Sequence, residues 1–379
     1  MRPSHQDSRR YFISAAEQSA DLLGAGLIQA VARFDPHTRF VGLAGSAMRA
    51  AGCWPIDDLT VHSAMLFGLL GNAARAGRAL QRVNRYLERF AFDAAVLIDS
   101  PVLHLPLAQR LRARGIPVLY HVAPQLWAWG AHRIHRVRQN VDRMAVLLPF
   151  EEPYFRDRGV DATFVGHPLF DRLRAEPVDP ADIAALRARG NPVVALLPGS
   201  RRHVVQEVLP GQLEVARAIA ARFPGAHFAV SVANPQVAPL IETRARSGLS
   251  TSLHAGRNGA LLSAADLALV ASGTATLEVA FYGTPMIVMY NSSPWAYRLF
   301  GRWLIGTRHL SLVNILAERA VVPEFMPYYR ATEPIAAAAL DLLESPARRQ
   351  ELSARLRALI TPLARPGASE RVAEILLSM

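Results

Sequence analysis

The feature that most constrains the fold of this chain is a recurring order of short apolar run, small polar turn and helix. It is clearest at residues 265–290, where the run 267–270 has the length of a buried parallel strand. The turn 271–274 contains only small residues, which let the backbone approach a ligand closely. Residues 275–281 and 285–290 are typical of a helix and of the next strand. This order predicts a parallel sheet with helical crossovers.

The same turn is a candidate ligand site. A helix that starts after Ser272, Gly273 and Thr274 exposes N–H groups to an anion, and the helix dipole adds to the attraction. Glu278 lies one turn inside that helix, where a carboxylate can accept the two hydroxyls of a ribose. The alternative is an ordinary helix start capped by Ser272 or Thr274.

The alternation extends over most of the chain. Further strands are predicted at 11–15, 39–43, 94–98, 117–121, 144–148, 192–197, 226–232 and 251–255. At 379 residues the chain exceeds the usual single core. We therefore predict an α/β protein with two doubly wound, Rossmann-like parallel sheets in tandem, whose ligands bind beyond the carboxyl ends of the strands.

The domain boundaries are predicted from where the alternation stops and restarts. Residues 1–170 form a first Rossmann-like domain, 171–191 a linker, 192–345 a second Rossmann-like domain and 346–379 the C-terminal helices. The helical C-terminal segment is expected to pack back on the first domain. No run of about 20 residues lacks charge or strong polarity, which argues against a spanning helix.

Composition limits the partners and the compartment. The net charge is +11 and all 42 basic residues are arginines, a balance that favours anionic partners. Nucleic acid is disfavoured as a partner, because no RNA-binding or helix-turn-helix signature is present. The single cysteine, Cys53, excludes an internal disulfide, and the polar first residues do not suit a signal peptide. We expect a cytoplasmic protein.

A second turn has the chemistry of a phosphate site. The strand at 192–197 ends in Pro-Gly-Ser-Arg-Arg, which places Gly199, Ser200 and Arg201 beyond its carboxyl end. Backbone N–H groups of such a turn orient a diphosphate and the guanidinium neutralises it. We expect this turn and the turn at 272–274 to face one crevice. The alternative is a plain turn with solvated arginines. Neither is a Walker or dinucleotide motif, which disfavours a nicotinamide dehydrogenase.

Asp99 directly follows the strand at 94–98 and is the candidate general base. A sugar hydroxyl needs a carboxylate within hydrogen-bond reach to lose its proton as it attacks. The alternative is a helix cap, since aspartate before a helix is common. Glu17 and His121 are secondary candidates, for which a structural role is equally acceptable.

An amphipathic segment predicts either a membrane contact or a buried helix. Residues 65–70 read MLFGLL, and arginines follow at near-helical spacing, at Arg75, Arg78, Arg82, Arg85 and Arg89. Apolar residues beside an arginine stripe suit a helix that lies on an anionic membrane. A buried helix with a basic outer face gives the same pattern.

Six motifs in a fixed order resemble a known family over nearly the whole chain. They are YHVAPQLWAW at 120–129, LPFE at 148–151, FVGHP at 164–168, LLPGSR at 196–201, ASGTATLE at 271–278 and LVNIL at 312–316. In these the chain resembles the lipid-A-disaccharide synthases, inverting glycosyltransferases of the two-Rossmann GT-B architecture. It departs from the family pattern mostly in the acceptor half, at Ala16, Ala20, Val102, Val204 and Pro327.

The resemblance implies a reaction. UDP-2,3-diacylglucosamine condenses with lipid X, which is 2,3-diacylglucosamine 1-phosphate, to give lipid A disaccharide 1-phosphate and UDP. No metal and no cofactor are implied, because arginine and helix termini can stabilise the leaving diphosphate. The family acts as a peripheral protein at the inner face of the cytoplasmic membrane, and a homodimer is a possible state.

The resemblance also implies site residues. Asp99 matches an aspartate of the family motif, in agreement with the role of base. The UDP-sugar site would comprise Gly199, Ser200, Arg201, Ser272, Gly273, Thr274, Glu278 and Asn314. The acceptor side would comprise Glu17, Ser19, His121 and Trp127.

Two other functions are compatible with the sequence. One is another UDP-sugar transferase or epimerase of the same architecture with a changed acceptor. An epimerase would need additional acid and base groups facing the sugar, and the sequence does not identify them. The other is a membrane-surface protein that binds the nucleotide sugar without turnover.

Overall fold

The fold consists of two compact units, each built on one parallel sheet. The computed structural model describes residues 9–60, 69–128, 130–245, 248–256, 258–291 and 308–379, with the backbone alone for 69–76. One unit comprises Met1–Pro168 with Arg365–Met379, and the other comprises Leu169–Ala364. Helices flank both sheets, which confirms the predicted fold class.

The first unit contains a seven-stranded sheet. Its strands are Arg10–Ala15 (β1), Arg39–Leu43 (β2), Trp54–Asp57 (β3), Ala94–Ile98 (β4), Val118–His121 (β5), Arg143–Val146 (β6) and Ala162–Phe164 (β7). The spatial order is β3-β2-β1-β4-β5-β6-β7. Its helices are Gln18–Phe34 (α1), Ser46–Ala50 (α2), Leu69–Arg89 (α3), Pro101–Arg112 (α4), Ile134–Asn140 (α5) and Glu151–Arg156 (α6), with a 3-10 turn at Ala131–Arg133.

The second unit contains a six-stranded sheet. Its strands are Val193–Leu197 (β8), His227–Val232 (β9), Thr251–Ala255 (β10), Leu267–Ala271 (β11), Met286–Met289 (β12) and Glu324–Phe325 (β13), in the order β10-β9-β8-β11-β12-β13. Its helices are Pro168–Ala175 (α7), Pro180–Arg187 (α8), Arg202–Arg222 (α9), Ala238–Ala245 (α10), Gly259–Ala264 (α11), Ala275–Tyr282 (α12), Leu312–Leu316 (α13), Glu333–Glu344 (α14) and Pro346–Ile360 (α15), with a 3-10 turn at Pro235–Val237.

Alternate residues of the first sheet face two cores. Phe12, Leu97 and Tyr120 belong to a core that α3 and α4 cover. Ile13 and Val96, one position along the same strands, belong to a core that α1 covers on the opposite face. Since successive side chains of a strand point to opposite faces, both faces of these strands must be apolar. The continuous apolar runs in the sequence reflect this double burial.

The last helix, Ala368–Leu377 (α16), packs against α1 in the first unit. Val372 and Leu376 are fully buried in the α1 core. A Cβ on Gly26 of α1 would lie 2.9 Å from the Ser369 hydroxyl, so the missing side chain permits the close approach of the two helices. The predicted packing of the C-terminal segment on the first domain is confirmed for α16, whereas α15, the other helix of the predicted segment, packs on α12 in the second unit.

Several elements differ from the sequence prediction. The sequence predicts the first helix over 22–34, and helix α1 begins four residues earlier, at Gln18. The short strands β3, β7 and β13 were not predicted, and each has at most four residues. Residues 171–191, predicted as a linker, contain most of α7 and all of α8, and α8 packs on α11 in the second unit.

Helix α3 has a buried face and a basic face in its described part. Ala79, Val83 and Leu87 are buried in the core that α3 and α4 cover. Exposed arginines lie on the other side, at Arg78, Arg82, Arg85 and Arg89. This is the pattern of a buried helix with a basic outer face, the alternative that the sequence allowed. The apolar residues 65–68, and the side chains at 69, 70 and 75, lie outside the described residues. No helix in the described part of the chain combines the length and the hydropathy of a membrane-spanning segment.

Candidate active site

Asp99 lies at the point where the strand order of the first sheet reverses. Strands β2 and β4 flank β1 on either side, so the switch point is between β1 and β4. The register pairs Ala15 with Ile98, and Ile98 with His121, so the carboxyl ends of these three strands are level. Residues that follow them, Asp99 among these, therefore share one edge of the sheet.

The backbone at Asp99 and Ser100 is left-handed. Their φ angles are 55° and 47°, in a region that residues other than glycine seldom adopt. The N-cap position of α4 is Ser100 and not Asp99, and the Ser100 side chain makes no capping hydrogen bond. The Asp99 carbonyl accepts hydrogen bonds from Tyr120 Oη and His104 Nδ1, both at 2.7 Å. Buried side chains of the same unit thus hold the backbone of the turn, while Asp99 itself is half-buried.

His104 was missed by the sequence analysis. It is fully buried, and its Nε2 lies 2.8 Å from the Ser14 hydroxyl of β1. Burial lowers the pKa of His104 to about 4, although hydrogen bonds to the Asp99 and Ile98 backbone oppose the shift. The imidazole is therefore neutral at physiological pH, and its two hydrogen-bond partners determine which ring nitrogen donates and which accepts.

The predicted acceptor residues near β1 lie at the start of α1. Glu17 is the N-cap residue of that helix and is half-buried. Ser19, in the first turn, is exposed. Glu17 is at the same edge of the sheet as Asp99, because β1 and β4 are neighbours.

His121 closes strand β5 and is almost fully buried. Burial lowers its pKa to about 4, opposed by a hydrogen bond to the Ala145 backbone. Among the described residues its Nδ1 has no hydrogen-bond partner. The next residue, Val122, has a φ of 68°, which is strained for a β-branched side chain. The chain therefore turns abruptly after β5, beside the Asp99 turn.

Trp127 is held by a buried carboxylate. Its Nε1 donates to Glu151 Oε1 at 3.0 Å, and its ring meets Phe150 edge-on at 4.9 Å. Glu151 Oε2 accepts the amides of Leu147 and Leu148, which follow β6. Burial raises the pKa of Glu151 to about 7, and the three hydrogen bonds only partly offset it. Trp127 thereby fixes the loop after β5 to the end of β6, a role that the sequence alone did not reveal.

The two glycine turns of the second unit lie together at the switch point of its sheet. Strands β8 and β11 are neighbours at which the order reverses, and each ends in one of the turns. Gly199 has a φ of 106°, and a Cβ there would lie 2.9 Å from Val204 and 3.7 Å from Ala271. The turn after β8 is therefore packed against the end of β11. Ser200 and Arg201 are exposed, and Arg201 is the N-cap residue of α9.

The turn after β11 leaves open space above its backbone. Gly273 has a φ of 136°, and among the described residues, its own two chain neighbours apart, no atom lies within 4 Å of the position that its Cβ would occupy. Thr274 is the N-cap residue of α12, and its side chain makes no capping hydrogen bond. Ser272 is half-buried and Thr274 is exposed. The Thr274-capped helix start, one alternative from the sequence, is thus not formed.

Gln212 of α9 ties these strands together. It is fully buried, and its Nε2 donates to the carbonyls of Leu197 at 3.3 Å and Leu269 at 2.9 Å. These carbonyls belong to β8 and β11, the two strands that carry the glycine turns. Helix α9 therefore starts in a fixed position relative to both turns. Sequence analysis did not single out Gln212.

Glu278 belongs to a short hydrogen-bonded chain. Asn258 Nδ2 lies 3.4 Å from each oxygen of the Glu278 carboxylate, and Asn258 Oδ1 accepts from the Ser231 hydroxyl at 2.7 Å. Burial raises the pKa of Glu278, and the hydrogen bond from Asn258 opposes this. Asn258 and Ser231 lie near the carboxyl ends of β10 and β9. These hydrogen bonds therefore run along the edge of the sheet at which the strands end.

Asn314 uses its whole side chain within its own segment. Its Oδ1 accepts the amides of Val321 and Val322, and its Nδ2 donates to the Val322 carbonyl and to Glu324. Two lone pairs and two N–H groups are all that an amide offers, so the side chain is saturated. The structure thus places Asn314 as a support for the connection between α13 and β13.

Taken by itself, the second unit suits an anionic group, because it offers two glycine turns, an exposed arginine and a half-buried carboxylate at one sheet edge. The first unit, taken by itself, offers a carboxylate at a rigid turn, Asp99, which suits a proton acceptor. Among the residues that the structure describes, no group of three or more His, Cys, Asp or Glu is placed to hold a metal ion.

The sequence matches one protein family along almost all of its length. Residues 11–377 match the family described as lipid-A-disaccharide synthetase. The chain is 38% identical over 388 residues to the lipid-A-disaccharide synthase of Syntrophus aciditrophicus (strain SB), covering 98% of each chain. It is 36% identical over 378 residues to that of Geobacter sulfurreducens, covering 98% of this chain and 97% of the relative.

Solved structures share the fold. A putative UDP-N-acetylglucosamine 2-epimerase from Listeria monocytogenes superposes with a TM-score of 0.67 at 14% identity, covering 98% of this chain and 96% of the other. MurG of Acinetobacter baumannii superposes with a TM-score of 0.58 at 15% identity, covering 98% and 100%. At such low identity the likeness shows the fold alone.

Proposed function

The chain belongs to the lipid-A-disaccharide synthase family, and from this premise we propose the substrates and the residues that act on them. As a member of this family it is a glycosyltransferase of lipid A synthesis. The donor is UDP-2,3-diacylglucosamine, the acceptor is 2,3-diacylglucosamine 1-phosphate, and the products are lipid A disaccharide 1-phosphate and UDP. The single observation that carries the assignment of residues is the meeting of two glycine turns at the switch point of the second sheet.

The donor diphosphate binds at these two turns. The open space above Gly273 admits a phosphate against the backbone, and the uncapped start of α12 presents N–H groups to it. Arg201 supplies the positive charge, which a nucleoside diphosphate needs because it leaves with extra negative charge. Glu278 accepts the ribose hydroxyls, steadied by Asn258.

Asp99 accepts the proton of the attacking hydroxyl. The acceptor oxygen forms a bond to the anomeric carbon of the donor while the bond from that carbon to the diphosphate oxygen breaks. The hydroxyl proton passes to the Asp99 carboxylate, and the leaving electron pair stays on UDP. Attack from the face opposite the leaving group inverts the anomeric configuration.

Product analysis tests the proposed substrates. The purified chain is incubated with UDP-2,3-diacylglucosamine and 2,3-diacylglucosamine 1-phosphate, and the lipid products are identified by mass spectrometry while UDP is quantified. Equal amounts of disaccharide phosphate and UDP are expected. UDP release without a disaccharide, or a 2-epimerised donor, would show that the acceptor or the reaction has been assigned wrongly.

Replacing Arg201 with alanine is expected to weaken UDP binding about tenfold to a hundredfold, since a hydrogen bond to a charged group contributes roughly 1.5–3 kcal/mol. Isothermal titration with UDP measures the change. The matched control is Arg202→Ala, which removes the same charge from the next exposed residue. Equal weakening in both variants would point to general charge attraction and would contradict a specific role of Arg201.

We further propose that the basic face of α3 binds the anionic inner surface of the cytoplasmic membrane. Arg78, Arg85 and Arg89 are exposed on this face. Arg82 is already paired, with its guanidinium 2.8 Å from the Asp57 carboxylate. Arginines near an anionic surface each contribute about 1 kcal/mol to binding. Since the apolar face of α3 is buried in the core of the first unit, the helix can bind such a surface through its basic face without any change in its packing.

Changing Arg78, Arg85 and Arg89 together to glutamine is expected to lower binding to phosphatidylglycerol vesicles about a hundredfold, because three contributions of about 1 kcal/mol add up. Vesicle flotation measures it, and vesicles of phosphatidylcholine alone give the background. The control variant carries Arg174→Gln, Arg217→Gln and Arg330→Gln, which remove equal charge from exposed positions of the second unit. Equal losses in the two triple variants would contradict the role of α3.

A further inference from the structure

The turn that carries Asp99 adopts a conformation that its sequence disfavours. Asp99 and Ser100 are both left-handed, with φ angles of 55° and 47°. Aspartate tolerates this region moderately, but two successive residues with side chains rarely adopt it. Such strain persists only where surrounding contacts over-determine the backbone. The Ser100 side chain makes no capping hydrogen bond to α4, so the constraint must come from elsewhere.

Two side chains hold the Asp99 carbonyl. Tyr120 Oη and His104 Nδ1 both lie 2.7 Å from this oxygen, which has two lone pairs and is saturated by the two donors. On the other side of the residue, the Asp99 amide donates to the His121 carbonyl at 2.9 Å. Both polar groups of the Asp99 backbone are therefore occupied, and the direction of its Cα–Cβ bond is set.

The imidazole of His104 is itself held by a hydrogen bond to β1. A carbonyl oxygen only accepts, so the proton of His104 must be on Nδ1, and Nε2 then accepts from the Ser14 hydroxyl at 2.8 Å. Ser14 belongs to β1 and is fully buried. Burial lowers the pKa of His104 to about 4, which keeps this neutral tautomer over the working range of pH. Tyr120 is likewise fully buried, in β5.

We propose that His104 and Tyr120 are positioning residues that clamp the Asp99 carbonyl and thereby aim its carboxylate at the acceptor hydroxyl. This proposal rests on the role of Asp99 as general base. The clamp joins β1, α4 and β5 through the carbonyl oxygen of the residue that follows β4. It therefore places the carboxylate relative to the carboxyl ends of β1, β4 and β5. A small displacement of a reacting group lowers the rate strongly, which makes such a clamp catalytically important.

Two substitutions at His104 separate the clamp from packing. The amide nitrogen of asparagine reaches about as far as Nδ1, so His104→Asn keeps the donor to Asp99 and loses the Ser14 contact. The amide of glutamine reaches towards Nε2, so His104→Gln keeps the Ser14 contact and loses the donor. We expect kcat to fall about tenfold to a hundredfold in His104→Gln, with KM and UDP affinity unchanged, and only a few-fold in His104→Asn. A packing role would make asparagine, the smaller residue, the worse of the two.

Tyr120→Phe provides a variant that keeps the ring and removes only the hydroxyl. It is expected to lower kcat several-fold in the otherwise unchanged protein and to have no effect when Asp99 is already asparagine, because Tyr120 acts through Asp99. Thermal unfolding of each variant confirms that it is folded. Equal loss of kcat on both backgrounds, or unchanged kcat in both Tyr120→Phe and His104→Gln, would overturn the clamp. If Asp99→Asn itself left kcat unchanged, the base assignment would fail instead.

Discussion

Turnover by the Asp99→Asn variant is expected to be about a hundredfold to ten-thousandfold slower than that of the unchanged chain, the range for loss of a general base. Asparagine has the shape of aspartate and also tolerates a left-handed backbone, so the turn at φ 55° should be retained. The amide cannot accept the acceptor proton at neutral pH. UDP release in the presence of both substrates measures kcat, and isothermal titration with UDP should give an unchanged affinity.

The control for this experiment is Asp157→Asn. Asp157 is exposed at the end of α6 in the same unit, and its replacement makes the same change of charge. We expect no effect on kcat there. Undiminished turnover in Asp99→Asn would remove Asp99 as the base, and weakened UDP binding would mean that Asp99 acts on the donor.

Replacing Gly42 with alanine is expected to destabilise the first unit by about 2–4 kcal/mol, the upper part of the range for overpacking. Gly42 of β2 pairs with Ile13 of β1, and a Cβ on Gly42 would lie 1.7 Å from the Ile13 carbonyl oxygen. The obstacle is backbone, which cannot rotate away, so the two strands would have to separate. The shift of the urea unfolding midpoint measures the loss.

Gly77→Ala is the matched control for Gly42→Ala. Gly77 lies in α3, and in the described part of the chain no atom outside the helix's own backbone is within 4 Å of its Cβ position. Alanine in an exposed helix position gains up to about 1 kcal/mol over glycine, so this variant should be slightly more stable. A Gly42→Ala protein that unfolds with the unchanged midpoint would mean that β1 and β2 separate without cost.

Strand ends are the part of the site that the sequence predicted well. An apolar run of four to six residues followed by small or acidic residues locates Asp99 and the turns at 199 and 273, because a buried strand must end where its side chains become polar. The same pattern was too short at β7 and β13, which have three and two residues. In β3 a proline weakened it further, as expected for an edge strand.

The partners of the site residues were not predictable, since they depend on which elements the fold brings together. Ser14 and His104 are 90 residues apart, and neither lies in a periodic pattern that points to the other. Asn258 follows a strand and resembles any loop residue until β11 and α12 place Glu278 beside it. Asn314 lies within the motif at 312–316, but the sequence does not show that the amides of Val321 and Val322 donate to its side chain.

The discontinuous first unit has a consequence for synthesis on the ribosome. The face of α1 that receives α16 is apolar, and Val372 and Leu376 cover it only after some 200 intervening residues have emerged. The continuous second unit can fold as soon as it leaves the exit tunnel. The nascent first unit therefore exposes this apolar face until α16 has been synthesised, and exposed apolar surface of this kind is what chaperones bind.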